Sequence, residues 1–285
     1  MIEGVSDTAF WVAHYRALES QRPDALFHVP FAALLAGDRG KKIAKSMPMP
    51  FITGWAVVIR TCIIDDYIQW ALAQGVDAVL NLGAGLDARP YRMELPDSLI
   101  WIEADYPQIV EYKETRLANE KTRCRLERVS IDLTKLPERR ALLASVQARA
   151  KKILVLTEGV VPYLTVEDAA SLADDLKNSS NACYWIVDYF SREVIKQRGR
   201  RMRFKMQNAP FRFDPADWFG FFAEHGWRVR EIRYLLAEGQ RLHRPIRLPL
   251  FISLFWVIRR LFIPKERRAA FAKFAAYVLL ERSAA

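Results

Sequence analysis

The chain has 285 residues, 51% of them hydrophobic and 12% aromatic, enough for one large α/β domain or two small ones and too apolar for disorder. Its three cysteines, Cys62, Cys124 and Cys183, are odd in number and far apart, which indicates neither a disulfide framework nor a zinc site and fits a reducing, cytoplasmic setting. The net charge of +10 is uneven: residues 192–268 carry 19 basic and 7 acidic side chains, against 24 and 26 in the rest of the chain. A basic segment of this kind attracts anionic small molecules, phosphate backbones or membrane headgroups, but it also arises as an Arg-rich solvated helix face.

The first stretch, MIEGVSDTAFWVAHYRALES, carries early acids and a histidine and no apolar h-region, so no signal peptide is expected. Residues 6–20 and 25–36 read as helices, with Asp24 as N-cap and Gly37 as stop. KSMPMP, 45–50, reads as a proline-punctuated loop, and 55–74 as a long buried helix closed by Gly75. Short apolar runs at 78–82, 99–103, 126–131, 152–157 and 183–190 then alternate with helices or loops. That alternation predicts an α/β fold with a parallel sheet covered on both faces. Residues 215–225 read as a helix ending at Gly226, followed by a strand at 227–235 and a terminal strand at 275–282 that pairs antiparallel with it. The apolar run LPLFISLFWVIRRLFI, 248–263, is too short for an ordinary membrane span and is interrupted by Arg259 and Arg260. It reads as a buried or partner-facing helix, with peripheral membrane contact through 244–268 as the competing reading.

VLNLGAGLDARPYR, 79–92, runs from an apolar strand into a glycine loop. Its spacing Gly83-Ala84-Gly85-x-x-Ala88 fits a dinucleotide fingerprint as well as other ligands. Asp87 inside the loop disfavours a pyrophosphate and suits a cofactor carrying positive charge, such as the sulfonium and ammonium of S-adenosylmethionine. WIEADYP places Asp105 and Tyr106 at the next strand end, where the acid can accept two ribose hydroxyls. Nicotinamide enzymes use the same device. In SIDLTK, Asp132 is placed to bond an adenine amino group and Leu133 to pack on the ring. In LTEGVVPYL, Glu158 and Gly159 end the fourth strand. Each acid alone has a bland alternative as a cap, turn or surface residue. Together they mark the crevice at the carboxyl ends of consecutive strands.

The combination of TAFWVAHYRALESQRPDALFHVPFAALLAG, RTCIIDDYI, NLGAGLDARPYR, EADYPQIVEYK, SIDL and LTEGVVPYLT resembles the leucine carboxyl methyltransferase family. That group of S-adenosylmethionine-dependent O-methyltransferases includes bacterial polyketide O-methyltransferases. The resemblance implies a single class I methyltransferase (Rossmann-like) domain: a seven-stranded sheet, mostly parallel, with an antiparallel last strand and helices on both faces. Its parts are an N-terminal helical cap at 1–74, a cofactor-binding core at 75–190, a basic substrate-side segment with one core strand at 191–264, and a terminal strand at 265–285. It further implies that Arg60, before the I-D-D run, binds the methionine carboxylate of the cofactor. By the same carry-over Gly83 and Gly85 approach the cofactor, Asp105 takes the ribose, Asp132 and Leu133 frame the adenine, and Glu158 lies near the amino-acid moiety. The chain departs from the family's D-P-x-A pattern at Val29-Pro30-Phe31-Ala32, where the acid is missing.

Methyl transfer to a carboxylate needs no base, whereas a phenol or alcohol needs one. Of the histidines, His225 reads as a helix C-cap and His28 as a residue near the entrance; no clear base is offered, which favours a carboxylate. Arg60 is expected to orient an acidic acceptor as well as the cofactor, and Tyr163 and Tyr189, just beyond strand ends, are candidates for the reacting centre and equally for packing. The expected partner is a small, acidic acceptor, with S-adenosylhomocysteine as the other product and no nucleic acid. The competing readings are a non-catalytic adenosine-ligand or membrane-associated protein and a nicotinamide-dependent oxidoreductase.

Overall fold

In the computed structural model, which describes residues 4–179, 181–197, 204–246 and 272–283, seven strands form one sheet. They are β1 (Ala78–Leu82), β2 (Ile100–Asp105), β3 (Arg125–Ser130), β4 (Ile153–Thr157), β5 (Ala182–Phe190), β6 (Trp227–Tyr234) and β7 (Ala275–Arg282), in spatial order β3-β2-β1-β4-β5-β7-β6. β1 pairs parallel with β2 and β4, whereas β7 is inserted between β5 and β6 and runs antiparallel to both. The predicted partner of the last strand is therefore only half of its pairing. β1 and β4 are buried along their whole length, as strands covered on both faces must be.

The helices in chain order are α1 (Asp7–Ser20), α2 (Ala32–Ser46), α3 (Pro50–Ala73), α4 (Arg89–Arg92), α5 (Pro107–Arg116), α6 (Leu136–Gln147), α7 (Val166–Asn178), α8 (Arg192–Gln197), α9 (Trp218–Glu224) and α10 (Leu235–Arg241), with a 3-10 turn at Val161–Tyr163. Alternate residues of the strands serve two different cores. Leu80, Leu82, Val155, Trp185 and Val278 face α6, α7 and α9, while Val79, Trp101, Leu154, Ile186 and Leu279 face Ile59, Ile63 and Ile68 of α3. A third cluster joins α1, α2 and the start of α3 to Leu86, Ala88 and Tyr91, so the N-terminal helices are packed onto the glycine loop.

Four local expectations are corrected. Residues 25–31 are not helical, because Val29 precedes Pro30 and is pushed away from the helical region. Val29 instead buries its side chain at 4% exposure in the N-terminal core, with its N–H donating to Ser20 Oγ at 2.9 Å; this is the position where the family pattern has an acid. Gly37 does not stop a helix: it takes φ 52° and kinks α2, which continues to Ser46. Asp24, expected as a cap, accepts from Arg22 Nε at 3.0 Å and pairs with Arg244 at 2.7 Å. The third helix begins five residues before its expected start, at Pro50, inside the segment read as a loop. The apolar run 248–263 and its flanking Arg247, Lys265, Arg267 and Arg268 lie outside the described residues. Arg244 is held by Glu19 of α1 and by Asp24 of the segment that follows it.

Candidate functional site

Strand order reverses between β1 and β4 relative to β2, which creates a crevice at the carboxyl ends of the strands. A cavity of about 500 Å³ opens there. The chain after β1 supplies Gly83, Ala84, Gly85 and Asp87; after β2, Asp105 and Tyr106; after β3, Asp132 and Leu133; after β4, Glu158, Gly159 and Tyr163. Arg60 of α3 and Arg16 of α1 close it from the helical side.

The glycine loop is held by backbone geometry. Gly83 has φ 66°, and a Cβ at that position would fall inside the van der Waals radius of Val160 Cγ2. Its N–H donates to Ala104 O at 2.7 Å, which pins the loop to β2. The N–H of Gly85, also at positive φ, donates to Asp105 Oδ2 at 2.6 Å, and Tyr106 N–H donates to Asp105 Oδ1 at 2.7 Å. Burial raises the Asp105 carboxyl above its ordinary value, against the two N–H donors and Lys113, which favour the anion. Asp132 Oδ1 accepts from the N–H of Thr134 at 3.0 Å and its hydroxyl at 2.8 Å, so it shapes its own turn while lining the cleft.

Beneath the loop, four arginines meet three carboxylates. Glu158 Oε1 lies 2.6 Å from Arg16 Nη2 and 2.9 Å from Arg60 Nε, and its Oε2 lies 2.8 Å from Arg89 Nη1. Asp65 takes Arg89 and Arg92, each at 2.7 Å. Asp87 accepts from Asn81 Nδ2 at 3.0 Å, Arg89 N–H at 3.0 Å and Arg89 Nη1 at 2.7 Å. Burial acts to raise the Glu158 carboxyl, but Arg16, Arg89 and Arg60 outweigh it and hold the group well below the carboxylate range. Asp87 borders the cleft where the sequence placed it, and its oxygens are bonded to Asn81 and Arg89.

Behind Gly159 lies a group the sequence did not disclose. Asp188 of β5 accepts from Gly159 N–H at 2.9 Å and from Tyr277 Oη at 2.5 Å, its cross-strand neighbour on β7. Burial pushes its carboxyl up to about 6, against Tyr277, Arg60 and the Gly159 N–H, which favour the anion. Arg16, Asn81, Asp188, Phe190 and Phe211 were all missed. The signal for Arg16 was a lone arginine on the apolar side of α1. Asn81 is a polar residue inside the apolar run before the glycine loop, six residues from its partner Asp87. Asp188, Phe190 and Phe211 carry no local signal, because their partners lie far away in sequence.

Two expected residues fall elsewhere. Tyr189 does not line the cleft; side chains alternate along β5, and its ring stacks on Phe219 at 5.4 Å and meets Trp218 edge-on. Phe190, on the other face, lines the cleft in its place. His28 is outside the cleft, with Nδ1 3.2 Å from Ser20 O. His225 does cap α9, and its Nδ1 lies 2.7 Å from Asp174 Oδ1.

The residues present fit an adenosine cofactor with an amino-acid end. Asp105 offers a desolvated acceptor one strand away from the glycine loop. The buried Arg60 Nε makes no hydrogen bond despite its nearness to Glu158, and Asn81 Oδ1 is likewise unpartnered. A parallel sheet with one antiparallel strand, and this loop at its reversal point, is the class I methyltransferase arrangement. The sequence profile of the leucine carboxyl methyltransferase family matches residues 9–177. A Streptomyces avermitilis protein described as a candidate S-adenosyl-L-methionine-dependent methyltransferase is 31% identical over 263 residues, which cover 86% of this chain and 90% of that protein. One from Streptomyces coelicolor with the same description is 33% identical over 246 residues, covering 79% and 84%. Among solved structures, a DUF574 family protein of Streptomyces avermitilis shares the fold with a TM-score of 0.55 at 15% identity, over 95% of this chain and 97% of that one. A candidate methyltransferase of Thermobifida fusca gives the same score at 12% identity, over 96% and 94%. The chain belongs to the leucine carboxyl methyltransferase family and is an S-adenosylmethionine-dependent methyltransferase. The oxidoreductase and non-catalytic readings are thereby set aside. Among the described residues no helix is long and apolar enough to cross a membrane, and no group of histidine, cysteine and acidic side chains could hold a metal ion.

Proposed function

We propose that the chain methylates an oxygen of a small molecule, and a carboxylate in preference to a hydroxyl. The observation that carries this reading is how the titratable groups of the cleft are engaged: among the described residues that line it none is histidine, lysine or cysteine, Asp87 and Glu158 are held by arginines, and Asp105 and Asp132 accept from backbone N–H groups. A phenol or alcohol acceptor needs a group to take its proton, whereas a carboxylate is ionised already. When bound, S-adenosylmethionine supplies an electrophilic methyl group on sulfur. An acceptor oxygen pair forms the O–CH3 bond as the S–CH3 bond breaks, the pair of that bond stays on sulfur, and no proton moves.

The work left to the protein is positioning. In this proposal Gly83, Ala84 and Gly85 approach the cofactor, Asp105 accepts from the ribose hydroxyls beside Tyr106, and Asp132 and Leu133 frame the adenine. Arg60 takes the methionine carboxylate, and Glu158, next to Gly159, holds the Arg60 guanidinium in place. Burial disfavours the charged guanidinium, but Tyr277, Glu158 and Asp188 raise Arg60 above its ordinary value, so it remains a cation. Tyr163 borders the acceptor side.

Two measurements test this. Titration with S-adenosylhomocysteine should show saturable binding that Asp105→Ala weakens by about tenfold to a hundredfold, the effect of removing a charged hydrogen-bond acceptor of about 1.5–3 kcal/mol. Incubation with methyl-labelled S-adenosylmethionine and a panel of carboxylic acids and phenols should give products that release methanol in alkali, as methyl esters do. Alkali-stable methyl ethers as the sole products would overturn the carboxylate preference.

A further inference from the structure

The part of the cleft away from the glycine loop has a distinct chemistry. It is walled by Tyr163, Phe190, Met206 and Phe211, with Arg212 beside them. Tyr163 meets Phe211 edge to face at 5.2 Å, and Phe190 lies 5.3 Å from Phe211. The strand of chain that carries Phe211 and Arg212 is tied down at both ends. The N–H groups of Arg212 and Phe213 donate to Pro162 O at 2.9 and 3.3 Å, on the turn that follows β4. Met206 and Ala209 are buried in the N-terminal core, at 3% and 0% exposure. These aromatic walls are therefore set by the fold.

Three arginines line the cleft among the described residues. Arg16 and Arg60 are committed to Glu158. Arg212 is exposed, and among the described residues its guanidinium has neither ion pair nor hydrogen bond. An uncompensated guanidinium at the edge of an aromatic pocket recognises an anion joined to an apolar body, since the cation orients the charge and the rings bury the rest.

We infer that the acceptor is an aromatic carboxylic acid whose carboxylate is held by Arg212 and whose ring lies against Tyr163, Phe190 and Phe211. This rests on the carboxylate-methylating reading and names its substrate class. Methylation converts the anion to a neutral ester, so the charge that Arg212 binds disappears with the reaction and product release is favoured. Arg212 is on this account a substrate-binding residue that takes no proton.

The test uses the full chain saturated with S-adenosylhomocysteine. Benzoate, cinnamate and biphenyl-4-carboxylate, each with its primary amide and methyl ester, are titrated calorimetrically into the wild type, Arg212→Gln and Arg212→Lys. At least one carboxylate should bind the wild type about tenfold or more tighter than its amide and ester, the scale of a charge-assisted contact. Arg212→Gln should lose that preference, Arg212→Lys should recover part of it, and both should keep the wild-type affinity for S-adenosylhomocysteine. No carboxylate binding to the wild type, no preference over the amide, or an unchanged preference in Arg212→Gln overturns the inference. Failure of the wild type to bind S-adenosylhomocysteine at all would instead strike the cofactor assignment on which it rests.

Discussion

Glu158 is the residue on which most of the site's electrostatics turns. Its two oxygens hold three arginines drawn from α1, α3 and α4, and it is almost excluded from water. Removing the charge while leaving the shape, as in Glu158→Gln, strands buried cations. The expected cost is about 3–5 kcal/mol of unfolding free energy, read by urea denaturation, because an uncompensated buried charge is far more costly than a lost surface pair. Asp188 should behave in the opposite sense with pH. Its carboxyl is raised from 3.8 to about 6 in the folded chain, so folding holds its proton more tightly. The cost of ionising it is absent below about pH 4 and complete above about pH 6. Wild-type stability relative to Asp188→Asn should therefore fall across that window, by at most about 3 kcal/mol at 1.36 kcal/mol per unit. A difference that stays flat between pH 4 and 7 would remove Asp188 from the account. Of these two residues only Glu158 was legible beforehand, since it ends an apolar strand beside a glycine. Asp188 looked like any polar residue in the run CYWIVDYF until β7 brought Tyr277 against it.

At the scale of elements, the loop between β1 and α4 carries two separate constraints at one residue. Gly83 needs positive φ, and its missing Cβ makes room for Val160. Gly83→Ala should cost about 1 kcal/mol for the backbone and about 1–3 kcal/mol more for overpacking. Adding Val160→Ala should return the second part and leave the first, which thermal unfolding of both variants would resolve. Full recovery in the double variant would show that φ contributes nothing there. The elements that the sequence misplaced fail for identifiable reasons. The segment 25–31 has helical periodicity, but Pro30 constrains the residue before it, and Val29 gains more by burial. Gly37 was read as a terminator because glycine ends helices in isolation, whereas here the packing of Leu35 and Ile43 on either side carries α2 through the kink. Tyr189 was assigned to the wrong face of β5, because an apolar strand buried on both sides gives no alternation from which to read its inward direction.

For the whole molecule, the N-terminal helices and the sheet meet at the cofactor cleft, through the packing of α1 and α2 on Leu86, Ala88 and Tyr91 and through the pairing of Arg16 with Glu158. Ligand in the cleft should therefore stabilise the chain as a unit. S-adenosylhomocysteine at a hundred times its dissociation constant should add about 2.7 kcal/mol, seen as a rise of several degrees in a single unfolding transition. Two transitions, with only one shifted, would show that the helical cap and the sheet unfold separately. The sequence by itself determined the α/β class, the strands and the positions of the acids at their ends, because hydrophobic period, glycine placement and strand-end polarity are local properties of the chain. Only the tertiary structure decided which charges remain available. Asp87, which sequence offered as a free carboxylate, is bonded to Arg89 and Asn81, while Arg212, one of many arginines in a basic segment, has no counter-ion among the described residues and stands beside an aromatic wall. Charge compensation depends on which side chains the fold brings within a few ångströms, and residues 16, 60, 89 and 158 meet only when α1, α3 and the sheet have packed together.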